Sequence, residues 1–314
     1  MKKKIFLKKN LLKKILFLNV SFFLISCSFG AGKWDNIEED LKIAKQRENA
    51  KIIFSTKKKF DLEINGEAKT NIKKSLPNKN WQEQNFSSNN IVPHLEYENK
   101  KELVFKSNKI GKNKFNIKNL DFEPILEKNT IFLYDPNGTI FSYGLKKKKI
   151  NWKYNFYKKR FRNSPKDLNI SIKNDNLIVS DNFGYIYNLN KNNGKIKWAK
   201  NYNVPFKSNI KIDDDNIFLI NQDNKFYIIS VKNGKQILDL ETFPSLLKTN
   251  TKTNVSLDKI KKNVYFVTSS SEIYSLNYKD RNINWLFSLA MGNTDQQVDL
   301  FFSSPIVYKQ NQIA

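Results

Sequence analysis

The 314-residue sequence is poor in residues that build cross-links and many catalytic sites. It has one cysteine, Cys27, and one histidine, His94. A single thiol cannot form an internal disulfide, a CxxC redox pair or a thiolate zinc cage. A single histidine excludes a multi-histidine metal site, and no partner marks His94 as a general base, so we interpret it as a surface or turn residue. We therefore predict no catalytic residues and no metal site.

Long apolar runs are also missing. The longest candidate, Ile15–Ile25, has eleven residues and is interrupted by Asn19 and Ser21. It is too short to cross a bilayer of about 30 Å, but it has the length of a signal-peptide core and follows a lysine-rich stretch. Leu24-Ile25-Ser26-Cys27 resembles a bacterial lipobox. We predict a lipoprotein signal peptide over residues 1–26, with Cys27 lipidated; the alternative is a cysteine at the end of a short membrane anchor.

Lipidation at Cys27 implies a location. Each buried methylene group of an acyl chain contributes about 0.8 kcal/mol, so the two or three chains of a bacterial lipoprotein anchor it firmly. In bacterial lipoproteins, Asp directly after the lipidated cysteine favours retention in the inner membrane, whereas here Ser28 follows Cys27. We expect the mature chain on the periplasmic face of the outer membrane.

Arginine is scarce in a basic chain. The net charge is +25, and only four of the 55 basic residues are arginine. Removal of the signal peptide takes away seven lysines and no acid, which leaves +18. Bidentate phosphate recognition relies on arginine, and an exported protein rarely meets nucleic acid, so we predict no nucleic-acid partner. Two explanations of the charge stay open: compositional drift, or attraction to anionic lipid headgroups or an acidic partner.

The first part of the mature chain has little apolar content. A short helix is predicted over residues 34–49, where apolar residues follow helical spacing after three acidic ones. Residues 50–80 are mostly polar and read as extended chain. We therefore divide the sequence into the signal peptide 1–26, a lipid-anchored arm 27–80 and a repeat domain 81–314.

The repeat domain contains four similar segments. Each has an apolar strand, a tight turn, a second strand and, fourteen residues after the turn residue, a large apolar side chain. The turn residues are Gly138, Gly184, Asn224 and Ser271, and the large residues are Trp152, Trp198, Leu238 and Trp285.

The spacing of these segments predicts the fold. They recur every 40 to 47 residues, the length of one four-stranded blade of a β-propeller. The turn residues need a positive φ, which suits Gly and Asn, whereas Ser271 is the weakest fit. Each blade needs a large side chain to fill the wedge against its neighbour, so we predict that Trp152, Trp198, Leu238 and Trp285 dock successive blades. The alternative, a run of unrelated hairpins, does not explain the constant spacing.

The fullest copy, Gly184–Trp198, resembles the tryptophan-docking repeat of quinoprotein-like (PQQ-like) propellers. Gly194-Lys195 before Trp198 matches the turn of that family, and Gly234-Lys235 matches it before Leu238. The other copies drift, because Lys148 and Arg281 replace the glycine. The usual small residue ten positions before the tryptophan is Ser142, Asn188, Ile228 and Ser275 in the four copies. The resemblance covers residues 81–314 and implies an all-β propeller of four-stranded blades.

Dehydrogenases built on this repeat hold a quinone cofactor between aromatic and disulfide platforms beside a calcium ion. This sequence has no disulfide and is much shorter. Asp213-Asp214-Asp215 is the one stretch that suits a calcium loop, but it lies where a strand-connecting turn is expected. We therefore predict no cofactor and no enzymatic activity.

A lipobox combined with these repeats resembles the BamB family, the lipoprotein subunit of the outer-membrane β-barrel assembly machinery. Trp81-Gln82, Asn90 and His94-Leu95 resemble the opening of alphaproteobacterial members. The resemblance implies a non-enzymatic scaffold that binds the periplasmic domains of the barrel-inserting subunit, with unfolded outer-membrane proteins as further partners. A periplasmic quinoprotein-like enzyme, a ligand-binding sensor lipoprotein and an adhesin that uses its basic charge are the alternatives.

The repeats also predict an incomplete ring. Counting back from Trp152 reaches Glu102–Lys106, a strand-like run around Phe105 that would be the lone last strand of a closing blade. Pro305–Tyr308 resembles the opening of a fifth repeat. The family ring has eight blades, so we expect an open arc of about four blades from a longer protein.

Overall fold

The computed structural model of the chain describes residues 72–97, 103, 105–112, 123–157, 161, 164–244, 252–289, 304–309 and 312–314. All of them belong to a compact unit that spans Gln46–Ala314. The predicted signal peptide, Cys27, the helix over residues 34–49 and the arm up to residue 71 lie outside the described residues. Across the described ranges, no helix has the length and apolar character needed to cross a membrane.

The described residues form four antiparallel sheets in chain order, which we call blades 1 to 4. Blade 1 contains β1 (Asn80–Trp81), β2 (Ile125–Glu127), β3 (Thr130–Tyr134), β4 (Thr139–Gly144) and β5 (Lys149–Asn155). Blade 2 contains β6 (Leu168–Lys173), β7 (Asn176–Asp181), β8 (Tyr185–Asn190) and β9 (Ile196–Asn201). Blade 3 contains β10 (Lys211–Asp213), β11 (Asn216–Ile220), β12 (Phe226–Ser230) and β13 (Gln236–Leu240). Blade 4 contains β14 (Val255–Asp258), β15 (Asn263–Val267), β16 (Glu272–Asn277) and β17 (Asn282–Ser288), and a hairpin of β18 (Tyr308–Lys309) and β19 (Gln312–Ile313) follows.

The hydrophobic core lies between successive blades. In β11, Ile217 and Leu219 pack with residues of blade 2, whereas Phe218 and Ile220 pack with residues of blade 4. Because side chains alternate across a strand, a strand covered on both faces is apolar at every position. This explains the unbroken apolar run of β11. The predicted all-β architecture, an incomplete propeller of four-stranded blades, is confirmed.

The predicted turn conformation is confirmed in every blade. Gly138, Gly184, Asn224 and Ser271 all have positive φ, between 63° and 86°. The outer hairpin of each blade, between its last two strands, has a second left-handed residue. This residue is Lys148, Gly194, Gly234 or Arg281, so two blades keep a bulky side chain in a conformation that favours glycine.

Two predictions about the ends of the repeat domain meet different outcomes. Ile306 and Tyr308 pack against blade 4, and β18 lies next to β14, as expected for the opening of a fifth repeat. The predicted strand around Phe105 is wrong, because residues 105–110 have no strand structure. Phe105 instead packs on Tyr143, with ring centroids 6.0 Å apart. An apolar run forms a strand only when a partner strand offers backbone hydrogen bonds, and the described residues contain none of the other strands predicted for the closing blade.

Candidate functional site

One segment of the chain forms hydrogen bonds with the innermost strands of several blades. Residues 82–91, which we call the axial segment, continue from β1 and cross these strands in chain order. The Ile172 amide of blade 2 donates to the Gln82 carbonyl at 2.9 Å, and the Leu257 amide of blade 4 donates to the Ser88 carbonyl at 2.8 Å. The Tyr308 amide of β18 donates to the Asn89 carbonyl at 3.3 Å. The segment thus connects blades that are not neighbours in sequence.

Blade 3 holds the axial segment through a buried lysine. The side chain of Lys211, at the start of β10, is fully buried and donates to the carbonyls of Gln84 at 2.8 Å and Ser87 at 2.6 Å. Its ammonium group lies 3.3 Å from a carboxylate oxygen of Glu83. Burial lowers the pKa of Lys211, and Glu83 opposes that shift. A lysine at this depth is stable only with partners of this kind.

Asn90 closes the axial segment at its other end. It is 6% exposed and has a φ of 59°, a conformation that Asn tolerates better than most residues. Its amide nitrogen donates to the carbonyls of Val255 at 3.0 Å and Ile306 at 2.8 Å. Its side-chain oxygen accepts from Asn209 of blade 3 at 3.3 Å. One side chain therefore links blade 3, blade 4 and the segment that leads into β18.

A small polar cavity lies beside the axial segment. Its volume is about 130 Å³, and its lining includes Gln84, Asn85, Glu123, Asn169 and Asn254. Cofactor sites usually measure about 300–1,000 Å³ and are mostly apolar. No cluster of metal-ligating side chains occurs within the described ranges. The arrangement can hold blades together through amide and carbonyl groups, but the cavity is too small for a quinone cofactor.

The predicted docking residues lie at the contacts between blades. Trp152 of β5 is 9% exposed and donates its indole N–H to the Lys191 carbonyl of blade 2 at 2.8 Å. Its ring covers Gly194 so closely that a Cβ at that position would lie 2.6 Å from Cε3 of the ring. Trp198 repeats this contact on blade 3, where it donates to the Val231 carbonyl at 2.7 Å.

Leu238 and Trp285 occupy the same register in blades 3 and 4. Leu238 packs into the core between these blades, and Trp285 packs with Tyr265 on the side of β18. Each docking residue faces the position ten residues earlier across its sheet: Ser142, Asn188, Ile228 and Ser275 are the partners in the four blades. Small or polar partners face tryptophan, and the larger Ile228 faces the smaller Leu238.

The sequence analysis missed a buried carboxylate in the turn of blade 2. Asp181 accepts from the amides of Phe183 and Tyr185 through one oxygen, and from the hydroxyls of Tyr157 at 2.9 Å and Tyr187 at 3.3 Å through the other. Burial raises the pKa of Asp181, although these hydrogen bonds lower it in part. Burial and the nearby Asp181 charge raise the pKa of both tyrosines. The cluster joins blade 1 to blade 2.

We expect Asp181→Asn to fold and to change the pH dependence of stability. Blade 3 has Asn221 at the equivalent position with the same two backbone contacts. Because the pKa of Asp181 is raised in the folded state, its favourable contribution is present below its ordinary value of 3.8 and is lost as pH rises through the folded-state pKa. The free energy of unfolding, measured by urea titration across that pH range, should fall less with rising pH for the variant than for the original chain. An unchanged slope would contradict this role of Asp181, and Asp280→Asn is the exposed control.

The remaining candidates from the sequence have structural partners. Asp213 accepts from the Lys262 ammonium group at 2.8 Å and from the Tyr278 hydroxyl at 2.7 Å. Burial raises the pKa of Asp213, but these donors outweigh burial and lower it overall. The carboxylate that suited a calcium loop therefore bridges blades 3 and 4. His94 is exposed and donates through Nδ1 to the Lys73 carbonyl at 2.9 Å.

Comparison with known proteins identifies the repeats. The profile of the family described as outer membrane protein assembly factor BamB matches residues 160–314. No curated protein matches the sequence. The crystal structure of BamB from Moraxella catarrhalis aligns at 13% identity with a TM-score of 0.44, over 54% of this chain and 48% of that chain.

Two other solved structures also align with part of this chain. A europium-containing methanol dehydrogenase aligns at 13% identity with a TM-score of 0.44, over 53% of this chain and 41% of that chain. The computationally designed Ika8 protein aligns at 10% identity with a TM-score of 0.48, over 60% and 53%. The chain spans about half the length of the BamB structure that it matches. The match of residues 160–314 to this family profile confirms the resemblance to BamB-type, PQQ-like propeller repeats that was predicted from the sequence.

Proposed function

We propose that the chain is a non-enzymatic scaffold of the outer-membrane β-barrel assembly machinery, bound to the periplasmic domains of the barrel-inserting subunit. The observation that carries the proposal is the match of residues 160–314 to a family described by outer membrane protein assembly. Lipid anchorage at Cys27 places the scaffold on the periplasmic face of the outer membrane. Unfolded outer-membrane proteins are further ligands of this assembly.

The inner strands support the choice of scaffold over enzyme. Propellers that carry out chemistry need an accessible pocket near the axis, whereas here the axial segment lies on the inner strands of blades 2, 3 and 4. Lys211 and Asn90 have hydrogen-bond partners in that segment or in neighbouring blades. The adjacent cavity of about 130 Å³ admits water or a small ion, not a substrate with its cofactor.

Crosslinking in intact membranes, followed by affinity purification of the tagged full chain, tests the proposal. We expect to recover the barrel-inserting subunit. We expect the same recovery when the acylated cysteine is the sole attachment of this chain to the membrane. Absence of that subunit under conditions that recover other envelope partners would reject the proposal. Calorimetric titration with quinone and calcium tests the alternative of a quinoprotein-like enzyme or ligand sensor, for which a saturable heat is required.

We expect Cys27→Ser to abolish lipid attachment. The lipobox Leu24–Cys27 follows a short apolar run, and only the thiol can receive the diacylglyceryl group. The variant should accumulate as unprocessed or unanchored protein, whereas Ser28→Ala should behave like the original chain. Mass spectrometry of the membrane fraction measures the modification. An unmodified Cys27 on a processed protein would contradict the prediction.

A further inference from the structure

The outer hairpins of the blades carry exposed cations along one edge. These hairpins join the last two strands of each blade, at residues 145–148, 191–195, 231–235 and 278–281. We call their exposed basic residues, with the adjoining Lys149, the basic rim: Lys146, Lys147, Lys148, Lys149, Lys195, Lys232, Lys235, Lys279 and Arg281. Asp280 is the only acid in these turns. The rim therefore combines nine basic residues with a single acidic residue in its turns.

The rim belongs to a single face of the arc. In an antiparallel meander, the first and third hairpins of a sheet lie at the same end of it. The Trp152 and Trp198 contacts place the outer hairpin of each blade against the last strand of the preceding blade in the same way. The outer hairpins of blades 1 to 3 thus follow one another along that face, and the repeated sheet geometry extends the row to blade 4.

Two other lysines on this face are charge-paired, unlike the rim: Lys191, in the outer hairpin of blade 2, and Lys262, in the hairpin between β14 and β15. Lys191 pairs with Glu127 at 2.7 Å, and Lys262 pairs with Asp213 at 2.8 Å and Asp214 at 3.0 Å. No rim residue forms an ion pair with another residue in the part of the chain that the structure describes. Since no ion pair within the described residues neutralises the rim, its charge is available to a partner.

An exposed aliphatic side chain projects from this cationic face. Ile260 is 93% exposed at the tip of the β14–β15 hairpin, and it lies between Lys259 and Lys261. The carboxylate of Asp258 accepts from the amides of Ile260 and Lys261 at 3.0 and 3.1 Å, which holds the tip in shape. Ile150 and Ile196, beside the rim, are 39% and 43% exposed. Aliphatic side chains among lysines suit the headgroup region of a bilayer, where cations meet phosphate and methyl groups meet acyl chains.

We propose that the basic rim and the Ile260 tip dock the propeller face-on against a membrane surface of anionic phospholipid. A planar, repeated array of lysines fits a surface better than a single ligand, and lysines act as point charges toward lipid phosphates. The direction of the chain agrees: β1 reaches the propeller beside this face, where Asn80 pairs with Glu127 and accepts from the Lys128 amide at 2.8 Å. The inference goes beyond the proposed scaffold function and uses from it only the membrane anchorage.

A site-specific fluorescent probe tests this orientation in the full chain. The variant Cys27→Ser with Ile260→Cys carries one thiol for an environment-sensitive dye, and Asn201→Cys at the exposed far end of β9 is the matched control site. Vesicles of phosphatidylglycerol and phosphatidylcholine are compared with phosphatidylcholine alone. Because both labelled variants contain the basic residues 1–26, comparison of positions 260 and 201 in the same vesicles removes the contribution of that segment. We expect a blue shift at position 260 only, and only with the anionic lipid. Raising salt to about 1 M, where the Debye length is about 3 Å, should remove it.

Charge variants separate the rim from general basicity. Removal of three rim charges should raise the lipid concentration needed for a half-maximal shift at least about tenfold. Removal of three charges elsewhere should change that concentration little. The rim set is Lys147→Gln, Lys195→Gln and Lys232→Gln, and the control set is Lys112→Gln, Lys153→Gln and Lys252→Gln, all exposed residues outside the rim.

Three results would overturn the proposal: no shift at position 260, an equal shift at position 201, or a shift with polyglutamate and none with anionic vesicles. The last would identify an acidic polypeptide as the partner. Because the vesicles contain no other protein, these outcomes are independent of whether the barrel-inserting subunit is recovered by crosslinking.

Discussion

Replacement of Trp152 by alanine is expected to lower the free energy of unfolding by about 3–5 kcal/mol, the range for a buried large aromatic. The ring packs with Phe132 at a centroid distance of 6.0 Å and covers Gly194 of the next blade. Its loss would open a gap between blades 1 and 2 and leave the Lys191 carbonyl without its donor. Urea titration of the full chain measures the change. Lys153→Ala, an exposed neighbour on β5, should stay within about 0.5 kcal/mol.

A variant at Gly194 tests whether Trp152 docks blade 1 against blade 2 or is simply a buried side chain. Gly194→Ala should cost about 2–4 kcal/mol, because Ala resists the φ of 71° and its Cβ meets the Trp152 ring. In a Trp152→Leu background the steric part of that cost should disappear, so the two changes are not additive. Additive effects, or a Trp152→Ala protein that unfolds like the original while losing a partner, would show that the tryptophan is a surface contact.

The repeats and the turns could be predicted from sequence because they are local and periodic. Even the departures in blade 3 follow a rule that becomes visible with the sheet register. Leu238 replaces the usual tryptophan, its cross-strand partner is the larger Ile228, and the turn position equivalent to Gly194 in the next blade is Arg281. A smaller docking residue leaves room for larger neighbours on both sides. In the sequence alone these three positions looked like independent drift.

The axial segment could not be predicted in the same way. Its contacts reach positions as distant as Ile306 and use mostly backbone carbonyls, which leave no trace in residue type. Side chains such as Gln84 and Asn90 look like those of any polar loop. Only the similarity of Trp81-Gln82 and Asn90 to the family opening singled out this stretch. Its position on the inner strands emerges from long-range packing.

Lys211→Met is expected to have the second large effect, a loss of about 2–5 kcal/mol in the free energy of unfolding. Methionine can fill the space of the lysine stem, so cavity formation contributes little. The variant leaves the carbonyls of Gln84 and Ser87 without their donor, at about 1–3 kcal/mol for each buried group that water cannot reach. It also leaves Glu83 without its buried partner charge.

Hydrogen exchange distinguishes a released axial segment from general loosening. In Lys211→Met, the amides that donate to the segment, those of Ile172, Leu257 and Tyr308, should lose protection before the central strands of the blades do. The double variant Glu83→Gln with Lys211→Met should recover part of the stability, because it removes the unpaired carboxylate while the carbonyls stay unsatisfied. Lys262→Met removes the ion pair between Lys262 and Asp213, which joins blades 3 and 4. This control should leave the protection of these amides unchanged. If Lys211→Met kept full stability and full protection, the axial segment would be held by its backbone contacts alone, and the buried lysine would have no part in joining the blades.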